Sequence, residues 1–137
     1  MAIFEAVHAA VHAALTTALQ PHSCPVYDHA ILNQPMPFAR IAAHYADSND
    51  AFAEALTVHR LTVEIHTGQV TGSTGVERSK RQARTLVEAA RTALHRQRLS
   101  LTAGACVAVT VERANIDDNT DTVSTESSLV VRVDVAH

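Results

Sequence analysis

Tryptophan is missing from this sequence, and the other aromatics amount to two tyrosines and three phenylalanines. The core must therefore be built from alanine, valine, leucine and isoleucine, with little material for a platform on which nucleic-acid bases could stack. Cysteine is scarce too. Cys24 and Cys106 belong to no Cys-x-x-Cys or mixed Cys/His pattern, so they read as free, partly buried thiols of a reducing compartment. No run approaches the roughly 18–20 apolar residues of a membrane span. The start, Met1 to Glu5, lacks the basic region that precedes the apolar stretch of a secretory signal. The expectation is a protein made in the cytoplasm and free of the membrane.

What is present is ordinary globular material. Apolar residues make up 47% and charged residues 18% of 137, a balance that supports one core and a single domain over residues 1–137. The net charge of -3 conceals a segregation, because seven of the eleven basic residues fall between Arg78 and Arg98. An acidic run follows at Asp117, Asp118, Asp121 and Glu126. The overall balance gives no reason to expect a nucleic-acid binder, but two patches of opposite sign could meet across subunits.

Periodicity divides the chain into elements. Phe4, Val7, Val11, Ala14, Leu15 and Ala18 form one stripe of a helix from Ile3 to Leu19, stopped by Pro21 and Pro25. Val26 to Asp28 reads as a short extended piece. Phe38 to Tyr45 reads as a strand, followed by a polar turn at Asp47 to Asp50. Leu61, Val63 and Ile65 alternate with polar residues in a strand from Leu56 to Thr67. After a glycine-rich loop, Thr74 and Glu77 have capping-box spacing ahead of a helix from about Val76 to Leu99. Its apolar stripe is Ala83, Leu86, Val87, Ala90 and Leu94; Arg78, Arg81, Arg84, Arg91 and Arg98 lie outside it. Two closing strands present Ala105, Val107, Val109 and Val111 on one face and Leu129, Val131, Val133 and Val135 on another. A long polar loop around Asp117 to Thr125 joins them. The order predicts an α+β fold, an antiparallel sheet of about four to five strands with two helices packed on one face.

Motifs for chemistry are incomplete. His8 and His12 have the spacing of paired metal ligands on a helix, but no Glu follows His8 and no third ligand is indicated. His59 and His66 fall on opposite faces of one strand. Asp117, Asn119 and Asp121 copy the opening of an EF-hand loop, which then fails at Thr122, where glycine belongs, and at Ser128, where the bidentate acid belongs. Gly68, Gly72 and Gly75 precede a helix, yet Val76-Glu77 replaces the Lys-Ser/Thr of a phosphate loop. No nucleophile elbow is present. Catalytic, cofactor and metal residues are accordingly expected to be none, and the basic helix is the feature that carries function. It reads as a solvated face, as an interface in which arginine forks take carboxylates of the next subunit, or as a channel wall facing DNA. The acidic balance elsewhere makes the DNA wall the weakest of the three.

The whole chain also resembles the siphophage tail-completion family, whose relatives occur in gene transfer agents. The likeness rests on the N-terminal helix, Val26-Tyr27-Asp28, and Pro35-Met36-Pro37-Phe38 opening a strand. It continues through Arg60 to Thr67, the helix with Ala83 to Leu94, and the closing strand Ser128 to Val133. The resemblance implies a non-enzymatic virion protein at the head–tail junction, a tail terminator forming a homohexameric ring. Its implied partners are the major tail tube protein and the head connector or stopper, with DNA passing through unbound and no cofactor. The interface expected in such a ring joins Arg78, Arg81, Arg84 and Arg91 to Asp117, Asp118, Asp121 and Glu126 of a neighbour. A head-completion or neck protein of similar size, and a small histidine-based metal-binding protein, are the alternative readings.

Overall fold

The computed structural model describes residues 2–28, 37–49, 56–68, 75–119 and 124–136. Helix α1 runs from Ala2 to Leu19, and Val7, Val11, Leu15 and Leu19 bury fully on its inner stripe. A 3-10 turn with Pro21, Gln20–His22, closes it. Ser23 then takes a left-handed conformation, donating its N–H to the Gln20 carbonyl at 3.0 Å. Strand β1 (Val26–Tyr27) follows, and His12 Nε2 donates to the Val26 carbonyl at 3.1 Å, pinning strand to helix.

Strands β2 (Phe38–Asn49) and β3 (Leu56–Gly68) form an antiparallel pair. Helix α2 (Gly75–Leu94) then leads to β4 (Ala105–Asn119) and β5 (Ser124–Ala136). The sheet order is β1-β2-β3-β5-β4, so α2 carries the chain past β5 to the far edge. Inward residues of β3 and β5 (Leu61, Val63, Ile65, Leu129, Val131 and Val133) meet the buried stripes of both helices in one core. The α+β architecture with helices on one face is as the sequence predicts. The sheet is mixed and not wholly antiparallel, because β1 pairs in parallel with β2 at Val26↔Ala39 and Tyr27↔Arg40. Two residues are too few for alternation to reveal a direction.

Four local expectations are corrected. The polar turn after Tyr45 does not begin at Asp47: Asp47, Ser48 and Asn49 continue β2 opposite Val58, Thr57 and Leu56, where ladder pairing overrides their turn preference. The closing hairpin is longer than its apolar residues indicate. Asp117, Asp118 and Asn119 pair with Glu126, Thr125 and Ser124, which leaves only residues 120–123 to connect them. Helix α2 ends at Leu94, not near Leu99, because Arg96 turns left-handed (φ 60°) and gives its N–H to the Val109 carbonyl at 2.8 Å. His95 Nδ1 accepts from the Val111 N–H at 3.0 Å, so the helix end covers the outer edge of β4.

The fourth correction concerns the face of β4. Register shifts at Cys106/Ala108 and Val111/Arg113 break its alternation. Cys106 and Val109 are buried, whereas Val107 is 51% exposed and Val111 half-buried. Of the capping pair, Thr74 and the side chain of Glu77 lie outside the described residues.

Gly104 prepares the entry into β4. Its φ is +75°, and a Cβ there would lie 2.9 Å from Val135 Cγ1 and 3.2 Å from the Ala136 carbonyl oxygen. Gly104→Val combines a disfavoured backbone with a clash, and we expect it to cost about 2–4 kcal/mol in urea unfolding. An unchanged midpoint would show that the β4–β5 edge yields there.

Candidate subunit interface

The two layers expose different chemistry. On α2, the inward stripe Ala83, Leu86, Val87, Ala90 and Leu94 turns Arg81, Arg84 and Arg91 to solvent, and all three are exposed. They form no ion pair among the described residues. Arg78 belongs to the same helix, but its side chain lies outside the described residues. Between α1 and α2 runs an open groove lined by Ala18, Ala89 and Ala93 with Arg84, Glu88 and Thr92 on its flanks.

Three arginines of the sheet differ. Arg40 Nε donates to Glu64 Oε1 at 2.8 Å, Arg60 Nε to Glu112 Oε1 at 2.9 Å, and Arg132 Nε to Asp134 Oδ1 at 2.8 Å. These pairs lie on the face away from the helices and are satisfied within the chain. Each is partly solvated, and solvent screening keeps its contribution to stability small. Arg40, Arg60 and Arg132 are therefore engaged within the chain, whereas Arg81, Arg84 and Arg91 of α2 form no ion pair among the described residues.

The expected acidic partners sit at the hairpin end of the sheet. Asp117 in β4 is the register partner of Glu126 in β5, and Asp118 that of Thr125. Glu126 is exposed; the side chains of Asp117 and Asp118, and the whole of Asp121, lie outside the described residues. Two acids in register are unfavourable together unless a counter-charge comes near. Thr125 and Ser127 are buried toward the helices, so Glu126 points to the opposite side. Glu126 and the exposed arginines Arg81, Arg84 and Arg91 thus lie on opposite outer surfaces of the two layers.

The histidines divide into separate environments. His8 and His12 do not converge as a ligand pair: His12 is bonded to Val26, and the His8 ring stacks 5.9 Å from that of His44. His44 Nε2 and His59 Nδ1 are hydrogen-bonded at 2.9 Å, and Phe4 stacks on His44 with ring centroids 3.7 Å apart. This cluster ties α1 to β2 and β3. Burial, then the nearby charges of His59 and His8, lower the His44 pKa to about 4. Because the unfolded ring titrates at 6.5, the unfolded chain takes up this proton first as pH falls. Stability from this group is complete above about pH 6.5, declines toward pH 4 and levels off below it. The loss is roughly 1–2 kcal/mol once solvent screening of a half-buried ring is allowed for. Thermal melts between pH 7 and pH 4 should show that decline, and His44→Gln should flatten it; an equal slope in the variant would place the proton elsewhere.

Sequence reasoning missed the polar network of the open sheet face. Glu64 Oε1 accepts from Arg40 Nε and, at 3.2 Å, from His66 Nε2. Burial raises the Glu64 carboxyl, but the hydrogen bonds and charges of Arg40 and His66 outweigh it and hold the group below the usual carboxylate range. Phe38 stacks on the His66 ring at 4.7 Å. Glu126 is the register partner of His66. The alternation of Arg60, Thr62, Glu64 and His66 marked an outward face; its partners on β2 and β5 depend on registers that one strand does not encode.

Cys24 and Cys106 are both free and buried, and burial pushes the Cys24 thiol up to about 11. Among the described residues no helix is long and apolar enough to cross a membrane.

Comparison with known proteins bears on this geometry. No curated protein matches the chain. Among solved structures, a chain from the virion of a native gene transfer agent particle shares the fold at a TM-score of 0.74 and 21% identity, covering 99% of this chain and 98% of that one. The family model described as tail completion protein gp17 matches residues 2–136. With that match spanning nearly the whole sequence, the chain belongs to the tail completion protein gp17 family, a family of structural phage-tail proteins and not of enzymes.

Proposed function

We propose that this protein is a tail terminator, a ring at the head-proximal end of the tail tube that stops tube polymerisation and docks the head connector. Residues 1–137 act in this reading as one terminator domain made in the host cytoplasm and assembled into the virion at the head–tail junction. The observation that carries it is the separation of charge between the layers, in a chain of the tail completion family. Arg81, Arg84 and Arg91 are exposed and without ion pairs among the described residues, while Glu126 at the hairpin end lies on the opposite surface. Such patches satisfy each other only between copies, head to tail, and a head-to-tail contact repeated about an axis closes a ring. Six copies is the number implied by the likeness to the family.

In the ring, Arg78, Arg81 or Arg84 pairs with Asp117, Asp118 or Asp121 of the next copy, with Arg91 and Glu126 at the margin. Bidentate arginine–carboxylate contacts give such an interface both strength and register. DNA passes through without specific binding, in keeping with the net charge of -3.

The test is polymerisation of the purified tube protein with and without this chain, followed by electron microscopy. A terminator should arrest elongation and leave density at one end of each tube. Tubes of unchanged length with bare ends would contradict the reading and move the protein toward the neck.

A further inference from the structure

We infer that Glu64, His66 and Glu126 form a binding site for a divalent transition-metal ion on the open face of the sheet. The ligand atoms of these three side chains all lie within 4.8 Å of one another, and they are the one such group among the described residues. Tetrahedral zinc with bonds of about 2.0–2.2 Å places its donors roughly 3.3 Å apart, so modest rotation of the exposed Glu126 completes the approach. The site is built on paired strands. Glu64 and His66 are two residues apart on β3 and share its outward face, and His66↔Glu126 is a register pair of β3 and β5.

Neighbouring groups orient the ligands before an ion arrives. Phe38 lies against the His66 ring at an interplanar angle of 13°, and Arg40 holds one oxygen of Glu64 at 2.8 Å. Supports of this kind fix the direction of a ligand and tune its basicity. Arg40 offsets one of the two carboxylates, leaving one net negative charge before any contribution from Asp117 beside Glu126 in the register. One imidazole with two carboxylates suits zinc and its first-row neighbours. Calcium, which takes six to eight oxygens, and magnesium, which demands an all-oxygen octahedron, fit it poorly. Three protein ligands leave a fourth position for water or for a group from another molecule.

The site shares Glu126 with the margin of the proposed ring contact, and it is tested on the isolated, untagged full chain, where its failure leaves the ring reading untouched. Equilibrium dialysis against zinc, read by elemental analysis, should give about one ion per chain. His66→Gln and Glu126→Gln should each weaken binding at least tenfold, and His12→Gln, outside the site, should leave it unchanged. Zinc should also raise the melting temperature of the parent but not of Glu126→Gln, an exposed position whose substitution leaves the core intact. Absence of bound zinc, equal binding in both site variants, or equal loss in His12→Gln would overturn the inference.

Discussion

Charge reversal of Arg81 and Arg84 together should abolish the joining of tails to heads while leaving the melting temperature within about 3 °C of the parent. Both side chains are exposed on the outer face of α2 and contribute no ion pair among the described residues. Removing them therefore costs the fold little. At a closed interface the outcome is different. Losing one partner of a desolvated charge pair costs about 2–5 kcal/mol, and reversal adds repulsion against the acids it faces. A ring repeats that loss at every contact. The readouts are the titre of infectious particles and a thermal melt of the purified variant. If the carboxylates are those of the hairpin end, a compensating Asp117→Arg with Asp118→Arg should recover part of the titre. Full infectivity of the double reversal would remove these arginines from any interface.

Leu61→Ala should be the most damaging single truncation of the core, at about 3–5 kcal/mol in denaturant unfolding. Leu61 is fully buried at the centre of β3, opposite His44 on β2 and Val131 on β5, with α2 packed across that strand. Strands on both sides and a helix above prevent the site from collapsing, so the cavity term adds to the lost transfer energy. A domain of this size has only about 5–15 kcal/mol in total, so the variant should lie near the threshold of folding. Val107→Ala is the contrast: with 51% exposure on a bulged edge strand it should shift stability by less than about 0.5 kcal/mol. Equal costs at the two positions would mean that the burial pattern is wrong.

The comparison of Leu61 with Val107 also shows where sequence periodicity carries information. In β3 no bulge intervenes, so Leu61, Val63 and Ile65 face inward as their alternation requires. The stripes of α1 and α2 are equally direct, because each helix meets the core along one unbroken side. In β4 two register shifts break the phase, and a valine that continues the alternation faces water while Cys106 turns in. The end of α2 was hidden for a related reason. No glycine or proline marks it; Arg96 adopts a left-handed backbone because β4 offers the Val109 carbonyl, a tertiary partner invisible from the local sequence.

The candidate interface was legible as a cluster of basic residues on one helical face. What sequence could not show is which arginines are already engaged. Arg40 and Arg60 are bound to carboxylates of other strands, which strand registers decide, and Arg132 to Asp134 two residues along β5. The same reasoning explains why Glu64, His66 and Glu126 were not seen as a group: Glu126 lies 60 residues beyond His66 in the chain and meets it only through β3–β5 pairing.

The most direct test of the terminator role is electron microscopy of particles made after deletion of the gene. Filled heads beside overlong or unattached tails are the expected result, because tube growth then has no stop and the connector has no docking surface. Normal-length tails beside unjoined heads would assign the protein to the neck, and fully normal, infectious particles would contradict a structural role in the virion.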